Sequence, residues 1–437
     1  MPRPPMRILP RCKFWTPILV ACLAVLIAPQ SRAQVESAAG IKRFSKDQWT
    51  IVTDLPIDSE IESWPGILDQ ALATWCQKWS IDSAQAKSWP LVVHCIGDRK
   101  LFEQAGLLEG VPPFDDGFQQ ADRVFLLEQP SNYYRRHLLL HEATHWVMYH
   151  AFAGGGSPWF MEGMAEVEGT HQWINGKLSL AIIPSDPQGV PHWGRFKRLS
   201  DSIAGKGVPR LKQILYYGND RLDRQDRYSW SWAACVFLRN HPVYSTMLQR
   251  ASAAPLDYSL KLTQLFENSL ADRWDWVERD WKLFVDEFDF GYQPTSNLIA
   301  LEPLTKDLSD GLPKDLSVDV DSAKGWKIAN LFLRTGQQVN ISAEGTYVVR
   351  MQNHQAWESS PSGISYQYYR HMPMGKLIGG FVSTDTSRPL DVFAIGKQTE
   401  YVAQSDGWLL LRINEPVGKR QDNSGKLTVR CAIGSRP

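Results

Sequence analysis

Hydrophobic positions along this chain follow two patterns, helical spacing in the first two thirds and strand alternation in the last third. Residues 68–79 carry apolar side chains at helical spacing, and 133–151 is long enough for five turns without Gly or Pro. Gly154-Gly155-Gly156 ends that helix. Ser157-Pro158 then opens another, through Trp159, Glu162 and Ala165, with Ser157 as its cap. Residues 228–240 and 270–288 predict further helices, and the short apolar runs 90–96 and 123–127 predict strands. From Gly291 to Ser322 the chain turns polar, with Pro294, Pro303 and Pro313 spaced through it, which predicts a linker. Runs at 331–334, 339–343, 377–381, 390–395, 408–413 and 426–431 then alternate between turn residues, the pattern of a β-sandwich.

The expected fold class is therefore α+β. A mostly helical domain with a small mixed sheet spans 34–290, a linker 291–318 and an all-β sandwich 319–437. Residues 1–33 are read apart from the fold. Arg3, Arg7, Arg11 and Lys13 precede an apolar run that ends at Pro29, and Ser31-Arg32-Ala33 offers small residues for cleavage, so this is a secretory signal. A lipobox around Cys22 is the lesser alternative, because the apolar run continues past it. The run is short for a spanning helix, and no later segment approaches that length. The expected location is secreted or periplasmic.

Composition narrows the function. The 437 residues hold 47 Lys+Arg and 47 Asp+Glu, and loss of 1–33 leaves a net charge of −5, with no basic footprint for nucleic acid. A chain 43% hydrophobic and 22% charged is neither disordered nor polytopic. Trp is abundant at 18 residues, for packing or for lining a surface. Cys76, Cys95, Cys235 and Cys431 remain in the exported form; a helix followed closely by a strand suggests a Cys76–Cys95 disulfide.

The chemistry centres on His141-Glu142-Ala143-Thr144-His145. On a helix, His residues four apart share a face and can reach one metal ion, with Glu142 beside them. A zinc ion so held keeps an open position for water, and Glu142 is the candidate base. Glu162, separated from His145 by 16 residues and placed on the helix begun by Ser157-Pro158, is the third ligand if the two helices pack antiparallel. Glu166, one turn later, would accept the free N–H of a ligand His. His137, one turn before His141 on the same face, is read as a surface residue or as one that supports a ligand from behind, and His150 and His171 as similar bystanders to the metal.

These two motifs, with Trp159-Phe160-Met161-Glu162-Gly163-Met164-Ala165 as the second, resemble the gluzincin metallopeptidases, the thermolysin and aminopeptidase N group. The resemblance covers about residues 120–240. The spacing is slightly shorter than in those prototypes, and no Gly-Ala-Met-Glu-Asn motif stands upstream, so aminopeptidase specificity does not carry over. A metzincin would need Gly at Met148 and His at Ala151. What the resemblance implies is hydrolysis of a peptide or protein, with a Tyr just before a later helix as oxyanion donor. Tyr228, before a helix from Ser229, is that candidate, and Tyr216 or Tyr217 could replace it. Residues 123–127 could be the edge strand that receives the peptide, or a strand that only packs in the core.

The sandwich is similar to the PA-I galactophilic lectin family in Gln337–Gly345, Gly375–Gly379, Leu411–Glu415 and Asp422–Gly425. That resemblance implies calcium held by Glu415, Asp422 and Asn423, and a carbohydrate partner. The family's His-Pro-x-x-Gly sugar motif has no counterpart here, so galactose specificity does not follow. The alternative from another class is a non-catalytic secreted adhesion protein on a peptidase-like scaffold.

Overall fold

The computed structural model describes residues 36–38, 40–217, 224–253, 256–301, 315–352 and 355–434. Residues 1–33, read as a signal and including Cys22, and 302–314 of the expected linker lie outside them. Helices and sheets divide as expected, into an α+β N-terminal part and a β-rich C-terminal part. Among the described residues, no helix is long and apolar enough to cross a membrane.

The N-terminal sheet has six strands: β1 (Glu36–Ala38), β2 (Ile41–Lys46), β3 (Trp49–Thr53), β4 (Leu91–Ile96), β5 (Gly117–Gln120) and β6 (Arg123–Leu127). Their order is β1-β2-β3-β4-β6-β5. β3, β4 and β6 are parallel, and the outer pairings are antiparallel. A parallel centre covered by helices loses the alternation of a half-exposed strand, so Leu91–Ile96 reads as one apolar run. This order corrects one expectation. Residues 123–127 form β6, paired on both sides, and the edge strand is β5.

Six helices of twelve or more residues stand among the described residues: α1 (Ser59–Trp79), α2 (Asn132–Phe152), α3 (Pro158–Gly169), α4 (Arg195–Lys206), α5 (Arg224–Asn240) and α6 (Trp274–Glu287). Asp58 caps α1 by accepting from the Ile61 amide at 3.0 Å, nine residues before the apolar spacing becomes legible. α1 and α2 cover one face of the sheet, where Trp146 meets Trp49 and Trp89 edge-on with ring centroids 5.6 and 5.9 Å apart. Nine of the tryptophans are almost wholly buried, so packing is their main use. Cys76, Cys95, Cys235 and Cys431 are buried and free among the described residues. The expected Cys76–Cys95 disulfide is absent because both thiols pack as apolar core residues, and burial pushes the Cys95 thiol up to about 12.

A hairpin of β7 (His171–Ile174) and β8 (Lys177–Leu180) turns at Asn175-Gly176, both at positive φ, as a two-residue turn requires. The C-terminal strands begin at Asp315, inside the expected linker: β9 (Asp315–Asp321), β10 (Lys327–Leu333), β11 (Gln338–Glu344), β12 (Tyr347–Gln352), β13 (Gln355–Ser359) and β14 (Ser362–Tyr369). They continue with β15 (Met372–Ser383), β16 (Asp391–Ala394), β17 (Gln398–Val402), β18 (Gly407–Ile413) and β19 (Lys426–Ile433). One sheet orders β10-β18-β15-β14 with β16 on β15, and the facing one orders β17-β11-β19-β9.

β18 is buried at every position. Leu409, Leu411 and Ile413 enter the sandwich core, while Trp408 and Leu410 join Leu283 of α6 and Leu301 in a second cluster. Arg412, on that second face, and Arg420 both pair with the buried Glu287 at the end of α6. A strand with two apolar faces thus joins the two parts.

Candidate metal centre and its surroundings

α2 starts where Ser131 Oγ accepts from the Tyr134 amide at 3.1 Å, and it ends at Ala153 in the left-handed region. His137, His141 and His145 fall four apart on one face of it. The chain reverses through Gly154 and Gly156, both at positive φ, and α3 packs back along α2. Ser157 takes the N-cap position, but its hydroxyl does not cap. It accepts from the Thr263 amide and donates to the Ser259 carbonyl instead. Trp159 Nε1 also donates to Thr263 Oγ1 at 2.8 Å. Gly163 lets α3 approach α5, because a Cβ there would overlap the Ser231 carbonyl. Together these contacts set Glu162 against the histidine pair.

His141 Nε2 and His145 Nε2 are 3.2 Å apart, and Glu162 Oε2 lies 3.3 Å from the first and 3.5 Å from the second. Four ligands about 2.0–2.1 Å from a tetrahedral zinc stand roughly 3.3–3.4 Å from one another. The triangle has that edge length. Glu162 Oε2 is buried without a hydrogen-bond partner, an arrangement that costs free energy unless a cation meets it. Burial alone would raise the Glu162 carboxyl, yet the two imidazoles hold it below the usual carboxylate range. Burial would likewise lower His141, but the carboxylates of Glu162 and Glu166 beside it push it up to about 10. The carboxylates that favour a proton there favour a metal cation for the same reason.

Glu166, 1% exposed, forms the next layer. Arg195 at the start of α4 clasps it with two hydrogen bonds of 2.8 and 2.7 Å, while His141 Nδ1 and His137 Nε2 each lie 3.4 Å from it. Against its burial, Arg195 first and His137 next hold Glu166 well below its ordinary value. Of the two expectations for His137 the surface one fails: it is buried in the same network behind His141, and with His141 and Glu166 it forms a second cluster whose atoms could hold a metal ion. His150 and His171 lie elsewhere, the first paired with Asp122 at 2.7 Å. His171 donates through Nδ1 to the Gly169 carbonyl and accepts from Arg136.

A cavity of about 390 Å³ opens beside these residues, lined by Glu142, His141, Tyr228, Arg195 and Tyr134 and bounded by Asp116 and Gly117 at the start of β5. Gly117 makes room for the Glu142 side chain, since a Cβ there would lie 2.6 Å from Glu142 Oε1. Tyr228 faces His141 edge-on at 5.9 Å, with the Arg195 guanidinium 5.7 Å over its ring. It does not precede its helix, however. α5 begins by Arg224, so Tyr228 sits one turn inside. Tyr216 bonds to Glu267, and neither it nor Tyr217 lines the cavity.

In the sandwich, Glu415 is also 1% exposed. Asn423 Nδ2 donates to Glu415 Oε2 at 2.7 Å and to the Ser322 carbonyl at 3.0 Å; two acceptors orient the amide nitrogen inward. Asp422 is exposed and accepts from the Met351 amide at 3.4 Å. Glu415 and Asn423 thus form a hydrogen-bonded pair in place of converging oxygens. Burial pushes the Glu415 carboxyl up to about 7.

No family model matches this chain, and no curated protein matches it. Among solved structures, the EclA N-terminal domain, a PllA-like lectin, is similar over 27% of this chain and 96% of its own, with 17% identity and a TM-score of 0.22. A score that low carries no argument about function.

Arg195 escaped the sequence reading. It follows Gly194, which takes a left-handed φ of 67° to open α4, and no motif marks it. Only the fold shows that it faces Glu166.

Proposed function

We propose that this chain is an exported zinc-dependent peptidase of gluzincin type, with a sandwich that binds surfaces or carbohydrate. The observation that carries the reading is the triangle of His141 Nε2, His145 Nε2 and Glu162 Oε2, with edges of 3.2–3.5 Å, whose His141 lines a cavity together with Glu142. A zinc ion held there supplies Lewis acidity toward a water and toward a carbonyl oxygen. Glu142 takes the proton from the attacking water and returns it to the leaving amine. Tyr228 donates its hydroxyl hydrogen to the developing oxyanion. Arg195 and Glu166 fix the ring of His141 through Nδ1. The exposed edge of β5 offers backbone groups to an extended peptide, which would lie antiparallel or parallel to it beside Glu142. For the sandwich, the supporting observation is Tyr366 and Tyr368 on β14, 60% and 65% exposed, rings of the kind that stack on sugars.

The test is cleavage of an unfolded protein such as casein by the full chain. Chelation should abolish cleavage, added zinc should restore it, and Glu142→Gln should not cleave. Cleavage that survives both chelation and Glu142→Gln contradicts the reading.

A further inference from the structure

A second cavity, about 420 Å³, lies where α6 meets the sandwich, well away from the histidines. Its size suits a small organic ligand. Leu283 and Val285 of α6 form one apolar wall, and Val382 and Leu390 of the sandwich form the other. Four cations line it, and they are not equivalent. Arg370 is matched by Asp286 at 2.7 Å and Arg388 by Asp385 at 3.7 Å. Arg279 and Lys282, one turn apart on α6, form no ion pair among the described residues; they reach only the carbonyls of Thr384 and Thr386. Arg279 is nine-tenths buried, rests 4.7 Å over the Trp276 ring, and keeps Nε buried without a hydrogen-bond partner. A buried guanidinium with an unmet donor is costly unless an anion completes it.

We infer that this seam cavity binds a small amphipathic carboxylate, its headgroup between Arg279 and Lys282 and its tail between Leu283 and Leu390. A bare inorganic anion would leave the apolar walls in water, and a neutral amphiphile would leave both cations unmatched. Because the walls come from both parts of the chain, the ligand binds their docked arrangement and stabilises it. This site is independent of the metal centre and does not rest on the peptidase reading.

Calorimetric titration of the full chain with octanoate, 1-octanol and acetate tests it. Octanoate should saturate one site at least tenfold more tightly than either control. Lys282→Met, at an exposed position that leaves the fold intact, should weaken octanoate about tenfold, the loss expected for one charge-assisted contact. Arg279→Met should weaken it further; if that variant does not fold, Lys282→Met decides alone. Absence of saturable octanoate binding at millimolar concentration, equal binding of either control, or an unchanged affinity in Lys282→Met overturns the inference.

Discussion

Glu166 and Glu415 are equally buried, at 1% exposure, and they behave as opposites. Arg195 and the two imidazoles surround Glu166, and its carboxyl stays well below the ordinary value. Glu415 has one strong donor, the Asn423 amide, and its carboxyl rises to about 7. Burial penalises an ionised acid at both positions, so the neighbours decide the charge. The first site sets ionised carboxylates against imidazoles, an arrangement whose negative charge favours a cation. The second holds an acid close to neutrality. The metal motif placed Glu166 beside a cation and the lectin resemblance placed Glu415 on one; among the described residues only the first lies in a cluster of the kind that could hold a metal ion.

The largest effect should come from Glu142→Gln. Turnover should fall about 10³-fold while the metal is retained, because a base is lost and no ligand is; a loss of metal in that variant would move Glu142 into the ligand set. The second concerns the opposite acid. With its folded value at about 7 against 4.5 unfolded, Glu415 contributes stability that is fully present below about pH 4.5 and lost as pH rises to 7. That loss is about 3 kcal/mol. Glu415→Gln should flatten this slope in urea titrations at pH 5 and pH 8, and an unchanged slope would place the titration elsewhere. Calcium sharpens the point: with the Asn423 nitrogen facing Glu415, millimolar calcium should leave Tm unchanged. A rise in Tm that Glu415→Gln abolishes would instead establish the calcium site.

Tyr228→Phe should lower kcat about 10²-fold and leave KM nearly constant, since it removes one hydrogen bond made to the oxyanion. Unaltered kcat would assign the donor to another residue. Smallest is Arg195→Met, which leaves Glu166 buried without its cation and so makes it resemble Glu415. Zinc affinity should weaken about 10- to 100-fold. Arg195→Lys should restore part of it, and equal affinity in all three proteins would reduce Arg195 to packing.

Much of the metal centre was legible because its signals are local. Two histidines four apart and a Trp-x-x-Glu-Gly run each lie within one helix, so helix periodicity alone puts their side chains on usable faces. β6 was legible as an apolar run, but its neighbour was not. Gly117–Gln120 carries little hydrophobic pattern and pairs only because the sheet is already there, so the true edge strand went unread and 123–127 stood open between edge and core. Arg195 reaches Glu166 across 29 positions, and Glu287 reaches Arg412 across 125; long-range pairings of charges leave no periodicity to read. The docked seam was hidden for the same reason. Trp408 and Leu410 looked like one more sandwich strand, and nothing along β18 says that both of its faces are covered.

Zinc content of the purified full chain tests the central claim most directly. Plasma emission analysis should find one zinc per chain, retained in Glu142→Gln and lost in His141→Ala and in Glu162→Ala. Absence of zinc from the wild-type protein, with none taken up on incubation, would contradict the account.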